Sequence, residues 1–326
     1  WLIIFIVFFR NYDSLILFFK ILLLLSFLVL LSFLFNVDKT IFTYLGKELE
    51  PEITENVLGL FIDRPSFGVM NSNTFSGIVV NIMLIAFYNF YNSYSKLRAF
   101  LYVLFILLCL AAILKGASRG VSIMAGAGLF TMILSSMWCV GLNAKTIKGK
   151  TVFIITFIII GMVYFVSTKE FYAIAGRWAQ IIDNLTLKSF GFIQTHSAYD
   201  NFTVRVITAI DALPDNTFEW FVGNGGLTKG YHFLYKTGCH TDMANLLGQY
   251  GLIGFVPYMG YIVFLMSYFL KKSRPNIEKG IGLLRSLGLS LIVSFLIESL
   301  FSPLFFSRWF WLGITTSIAL IIQSAE

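Results

Sequence analysis

The chain has 326 residues, 57% of them hydrophobic and 13% charged, with a mean hydropathy of +0.80. Soluble globular domains carry about 25% charged residues, so the composition excludes one and points to a membrane protein. The net charge of +7 is not a nucleic-acid signal, because much of the basic charge sits in short connections between apolar runs, where the positive-inside rule places it.

A spanning helix needs about 20 mostly apolar residues. Runs such as 21–31 and 151–166 lack the alternation of a barrel strand, and only helices and closed barrels satisfy their backbone in hydrocarbon. The sequence therefore predicts an all-α, polytopic transmembrane helix bundle forming one integral membrane domain over 1–326. Spans are predicted at 14–35, 74–91, 99–114, 120–141, 151–167, 243–270, 286–300 and 309–322. Residues 1–9 read as the tail of a further span, and Trp1 in place of Met predicts that other spans precede it.

The connections alternate in character. One set is short and basic: Lys96 and Arg98, then Lys145, Lys148 and Lys150, then Lys271, Lys272, Arg274, Lys279 and Arg285. The other set is long: an outer amphipathic loop, 36–73, and a large loop, 168–241. Threading the spans in order puts all the basic connections on one side, the cytoplasm, and both long loops outside. Within the first long loop, Leu45, Leu49, Ile53, Val57 and Leu60 recur at helical steps. That spacing predicts a surface-lying helix over 36–63, for packing, or as a lid or lipid contact.

Cys109 and Cys139 fall in spans and Cys239 stands alone, which gives no disulfide framework and no spaced metal motif. Cys239 beside His240 is a metal fragment at most, since a zinc site needs three or four ligands.

Four segments on the outer side carry candidate chemistry. The first is Arg64-Pro65-Ser66-Phe67-Gly68-Val69-Met70-Asn71-Ser72-Asn73; the second is Lys115-Gly116-Ala117-Ser118-Arg119-Gly120. The third runs from Arg205 to the turn Gly223-Asn224-Gly225-Gly226; the fourth is His240-Thr241-Asp242, leading through Asn245 to Gly251-Leu252-Ile253-Gly254. Arginine offers a permanently charged, bidentate fork for phosphate oxygens. Histidine and aspartate can take a proton. Several arginines and one base at membrane level suit a lipid-linked diphosphate and a nucleophile to be activated. Plainer readings stand beside these. An arginine at a helix end can contact lipid phosphate, His240 can be a helix-start polar residue capped by Thr241 or Asp242, and the Gly223–Gly226 turn can be a loop hinge. Arg177 beside Trp178 reads as an interfacial anchor, and His196 and His232 as solvated. Glu298, inside a span, either pairs with an arginine such as Arg308 or lines the site.

The order of these segments, from Arg64 to Gly254, resembles the bacterial O-antigen polymerase and O-antigen ligase superfamily (Wzy and WaaL types). The resemblance implies a GT-C-like bundle with a large periplasmic loop in the bacterial inner membrane. It implies a metal-independent, inverting glycosyltransferase that uses no cofactor and no nucleotide sugar. The donor would be a glycan on undecaprenyl diphosphate. Arg119 and Arg205 would hold the diphosphate, with Arg64 as a further candidate; His240 would be the general base, and Asp242 would orient it or be the base itself. The implied partners are lipid-linked glycans, membrane lipids, a chain-length regulator and a flippase, with no nucleic acid.

Three functions compete. A polymerase transfers the glycan to another lipid-linked repeat unit, a ligase transfers it to lipid A core, and a transporter or flippase does no chemistry. A transporter is expected to place ionisable positions near the midplane in related halves, whereas the charges here cluster at span ends and no halves repeat. His240-Thr241-Asp242 resembles the His-x-Asp form of polymerases more than the His-x-Asn or His-Asn of ligases, which favours polymerase.

Overall fold

The computed structural model describes residues 9, 11–37, 53–57, 60–64, 72–116, 119–139, 149, 152, 156, 209–210, 212–224, 242–271, 279–301 and 305–325. In chain order these give α1 (Tyr12–Leu34), β1 (Ile53–Val57), β2 (Leu60–Arg64), α2 (Ser72–Asn92), α3 (Lys96–Lys115), α4 (Arg119–Cys139), α5 (Thr217–Val222), α6 (Asp242–Leu270), α7 (Lys279–Phe301) and α8 (Phe305–Ala325). Six of them, α1, α2, α3, α4, α6 and α7, are long and apolar enough to cross a membrane. The apolar part of α8, Phe310–Ala325, is shorter. The expected spans 1–9 and 151–167 lie outside the described residues, apart from Phe9, Val152 and Thr156.

The bundle is layered by burial. In α2 and α7, 89% and 78% of the most apolar stretch is buried, against 28% in α1 and 17% in α6, so α2 and α7 form the centre. On α1 only Leu15, Phe19, Leu23, Ser26, Leu30 and Phe33 are buried, a stripe at three- and four-residue steps. Leu17, Leu24 and Leu28 on the other faces are exposed and meet acyl chains in a bilayer.

Lipid tails are as apolar as leucine, so membrane helices associate through close packing of small residues. The central seam does this. A Cβ on Gly77 of α2 would sit 2.6 Å from Glu298 Oε1 of α7. One on Gly128 of α4 would overlap Ser294 Oγ of α7, and one on Gly116 would overlap Ser76 Oγ of α2.

Contacts at the two ends fix the threading. At one end the Tyr12 hydroxyl bonds the Tyr88 hydroxyl at 2.9 Å and accepts from Asn92 Nδ2 at 3.1 Å, and Lys279 Nζ stands 5.5 Å from the Tyr94 ring centre. This is the basic end. At the distal end Lys115 Nζ donates to the Phe33 and Leu34 carbonyls at 2.8 and 3.2 Å and to Asn36 Oδ1 at 2.8 Å. It thereby satisfies carbonyls left over at the C-terminus of α1 and complements that helix dipole.

Two expectations are corrected. The helix predicted over 36–63 is not formed where the chain is described: β1 and β2 pair antiparallel there, with Ile53 opposite Arg64, Glu55 opposite Ile62 and Val57 opposite Leu60. A four-residue step from Ile53 to Val57 is also a multiple of two, and β-branched Ile53, Thr54 and Val57 favour a strand. Lys279 and Arg285, assigned to a basic connection, are instead inside α7, and Arg285 is only 1% exposed. Its Nη1 donates to the Lys271 carbonyl just past the end of α6, and its guanidinium lies 5.8 Å from the Tyr268 ring centre. The Lys271 carbonyl takes one of the hydrogen bonds that water would otherwise accept. Arg285→Leu is expected to cost about 2 kcal/mol through the lost charged hydrogen bond, read as a lower unfolding temperature in detergent.

Candidate functional site

Two of the candidate residues, Arg119 and Asp242, begin helices whose starts lie toward the distal end. Cys139 Sγ donates to the Phe269 carbonyl at 3.8 Å, so the C-terminal ends of α4 and α6 meet at the basic end. Their first residues, Arg119 and Asp242, therefore belong to the distal side of the bundle. Arg119 follows Gly116 by three residues, and Gly116 sits against Ser76 at the distal start of α2. Arg64 is the last residue of β2. Arg205 and His240 lie outside the described residues.

The third and fourth sequence segments are brought together. α5 is capped at its start by Asn216, whose Oδ1 accepts from Glu219 N at 3.0 Å. Glu219 reaches back to accept from Asn216 Nδ2 at 2.9 Å and Asp215 N at 3.2 Å. This reciprocal capping stiffens the short helix just before the Gly223 turn. Beyond it, Asn224 N donates to the Gly248 carbonyl of α6 at 2.9 Å.

Glycine is required at that crossing. Gly223 has φ 75° and ψ 176°, and Gly251 has φ 60° and ψ −164°. Both lie in a region open essentially to glycine alone. A Cβ on Gly223 would overlap the Gln249 carbonyl, and one on Gly251 would overlap the Phe221 carbonyl. A Cβ on Gly248 would likewise overlap the Ala212 carbonyl. The two backbones therefore touch with no side chain between them. Gly251 also breaks α6, so residues 242–250 form a separate segment ahead of the membrane-length part. Ala212 and Ala244 close a small apolar contact between the loop and that segment, with Ala209 and Leu213 packed on it.

α5 buries none of its residues, and Phe218, Trp220, Phe221 and Val222 are exposed. Aromatic side chains at the rim of a bundle suit the membrane–water interface.

Over its described half, the Gly223–Gly226 turn lies directly against residues 248–251 of α6. The signal was available: the turn and the 248–254 segment are both glycine-rich, which allows two chains to approach. Glu298, singled out in the sequence, is buried against Gly77, 6% exposed. Asn81 and Ser294 beside it were not singled out, because one Asn or Ser in an apolar helix is an ordinary event. Cys109 and Cys139 are buried and free; Cys239 lies outside the described residues. Among the described residues, no three His, Cys, Asp or Glu stand together as a metal site.

Compared with protein-family models, curated proteins and solved structures, the chain matches none.

Proposed function

We propose that this protein polymerises lipid-linked oligosaccharide repeat units at the periplasmic face of the bacterial inner membrane. The observation that carries the reading is the glycine crossing between the Gly223 turn and residues 248–251. It ties the loop that follows Arg205 to the helix that follows His240, on the same side of the bundle as the start of α4 at Arg119.

In this mechanism a sugar hydroxyl of one repeat unit attacks the anomeric carbon of another. The new C–O bond forms as the bond from that carbon to the undecaprenyl diphosphate breaks, with inversion. The leaving diphosphate keeps the bonding pair, and its growing charge is held by Arg119 and Arg205, with Arg64 as a third contact. His240 takes the hydroxyl proton, and Asp242 orients the imidazole.

The deciding experiment is glycan profiling of a strain lacking the protein. Lipid-core material bearing a single repeat unit supports a polymerase. Bare core with long polymer still on the carrier lipid would point to a ligase and overturn the reading. A finer check is Arg205→Lys, which keeps the charge but loses the two-pronged grip. Chain extension in membranes should fall by about tenfold or more, one bidentate contact being worth at least 1.4 kcal/mol.

A further inference from the structure

Glu298 is a carboxylate buried among membrane helices, an expensive placement that marks function by default. It has no hydrogen-bond or ion-pair partner among the described residues. It is not alone in this. Ser294 Oγ and Asn81 Oδ1 are both buried and without a hydrogen-bond partner, at 0% and 1% exposure.

The three belong to one place. α2 and α7 run antiparallel, and Glu298 Oε1 packs so close over Gly77 that a Cβ added there would lie 2.6 Å from it. Asn81 lies four residues from Gly77 along α2, and Ser294 four residues from Glu298 along α7, both toward the basic end. Four residues are one helical turn, about 6 Å, and return to the same face, so Asn81 and Ser294 are level on facing stripes. Ser294 Oγ also lies against Gly128 of α4, which makes the spot the seam of three helices.

Ser294 breaks the habit of its own stripe. Ser286 and Ser290 turn their hydroxyls back onto α7, to the Gly282 carbonyl at 3.4 Å and the Ser286 carbonyl at 2.7 Å. Ser294, one turn further on, does not. Its oxygen is directed into the seam instead.

The set is rich in unsatisfied oxygens. The Glu298 carboxylate and Asn81 Oδ1 only accept, the Ser294 hydroxyl can donate once, and the Asn81 Nδ2 amino group is the other donor of the set. They are buried from bulk water and are not bonded to one another. One negative charge needs balancing. The unsatisfied atoms are hard oxygens, the type that binds Na+-like and Mg2+-like ions rather than softer metals, and a single carboxylate matches a single positive charge.

We propose that Asn81, Ser294 and Glu298 form an internal site for a small hard monovalent cation, held where α2, α4 and α7 meet. The cation joins the two central helices and neutralises the buried carboxylate. This inference stands independently of the glycan-polymerase reading, and its test uses no glycan.

The purified full chain in detergent would be unfolded by heat in NaCl and in N-methylglucamine chloride at equal ionic strength. The expected result is a saturable rise in unfolding temperature with Na+ alone. Glu298→Gln should remove the Na+ response, and Ser294→Ala should raise the half-saturating concentration by about tenfold, the loss of one oxygen ligand. A wild-type protein equally stable in both salts overturns the proposal and leaves a bound water or a protonated carboxyl in its place. Because the wild-type comparison decides, a variant that fails to fold does not rescue or sink it.

Discussion

His240→Ala is expected to abolish glycan chain extension while the protein inserts and accumulates as the wild type does. A general base contributes on the order of 10²–10⁴ in rate, enough to reduce long-chain glycan to single units in a cell. The residue lies two positions ahead of Asp242, the first residue of α6. Immunoblotting and thermal unfolding report the fold, and gel profiling of the glycan reports the activity. Long-chain glycan of normal amount from this variant would remove His240 from the mechanism.

Gly251→Val is expected to damage both fold and activity, which separates it from the histidine variant. Valine at φ 60° and ψ −164° costs on the order of 1–3 kcal/mol in backbone strain alone. Its Cβ would also overlap the Phe221 carbonyl and approach Gly223 N at 2.5 Å. The strand of chain after α5 has to back away, and the bond from Asn224 N to the Gly248 carbonyl is lost with it. Limited proteolysis should then cut near 223–224 faster than in wild type, and chain extension should fall with it. Equal cleavage rates would mean that the crossing does not hold the loop. Gly260, with open space at its Cβ, is the matched control: Gly260→Ala should leave both readouts unchanged.

How far the sequence could be read follows from which forces act alone. Apolar runs identify helices because hydrocarbon leaves the backbone no other choice. The expected 14–35 and 243–270 therefore agree with Tyr12–Leu34 and Asp242–Leu270 to within two residues. The start of α7 was misplaced, at 286 rather than Lys279. Charge marks a connection in the sequence, yet Arg285 is buried inside α7 with its Nη1 on the Lys271 carbonyl just past α6. No local pattern carries that information. The hairpin was lost for a related reason: a four-residue step fits both periods, and pairing with Leu60–Arg64 decides between them.

The site was legible as a set of segments and not as an arrangement. Glycines at 223, 248 and 251 could be seen, but not that they belong to one contact. That Asn81 and Ser294 fall at one level depends on the register of α2 against α7, set where Gly77 meets Glu298. A substitution there shifts the register before it changes any chemistry.

The position of α6 has a mechanical consequence. Its far tip is fastened by Arg285 and Cys139, its near tip by the glycine crossing, and its middle is bathed mostly in acyl chains. Such a strut feels the thickness of its host bilayer along its whole length. A thinner or thicker membrane would load the two fastenings first, so lipid composition acts on the Gly251 joint from a distance, as tension on a stay acts on the masthead.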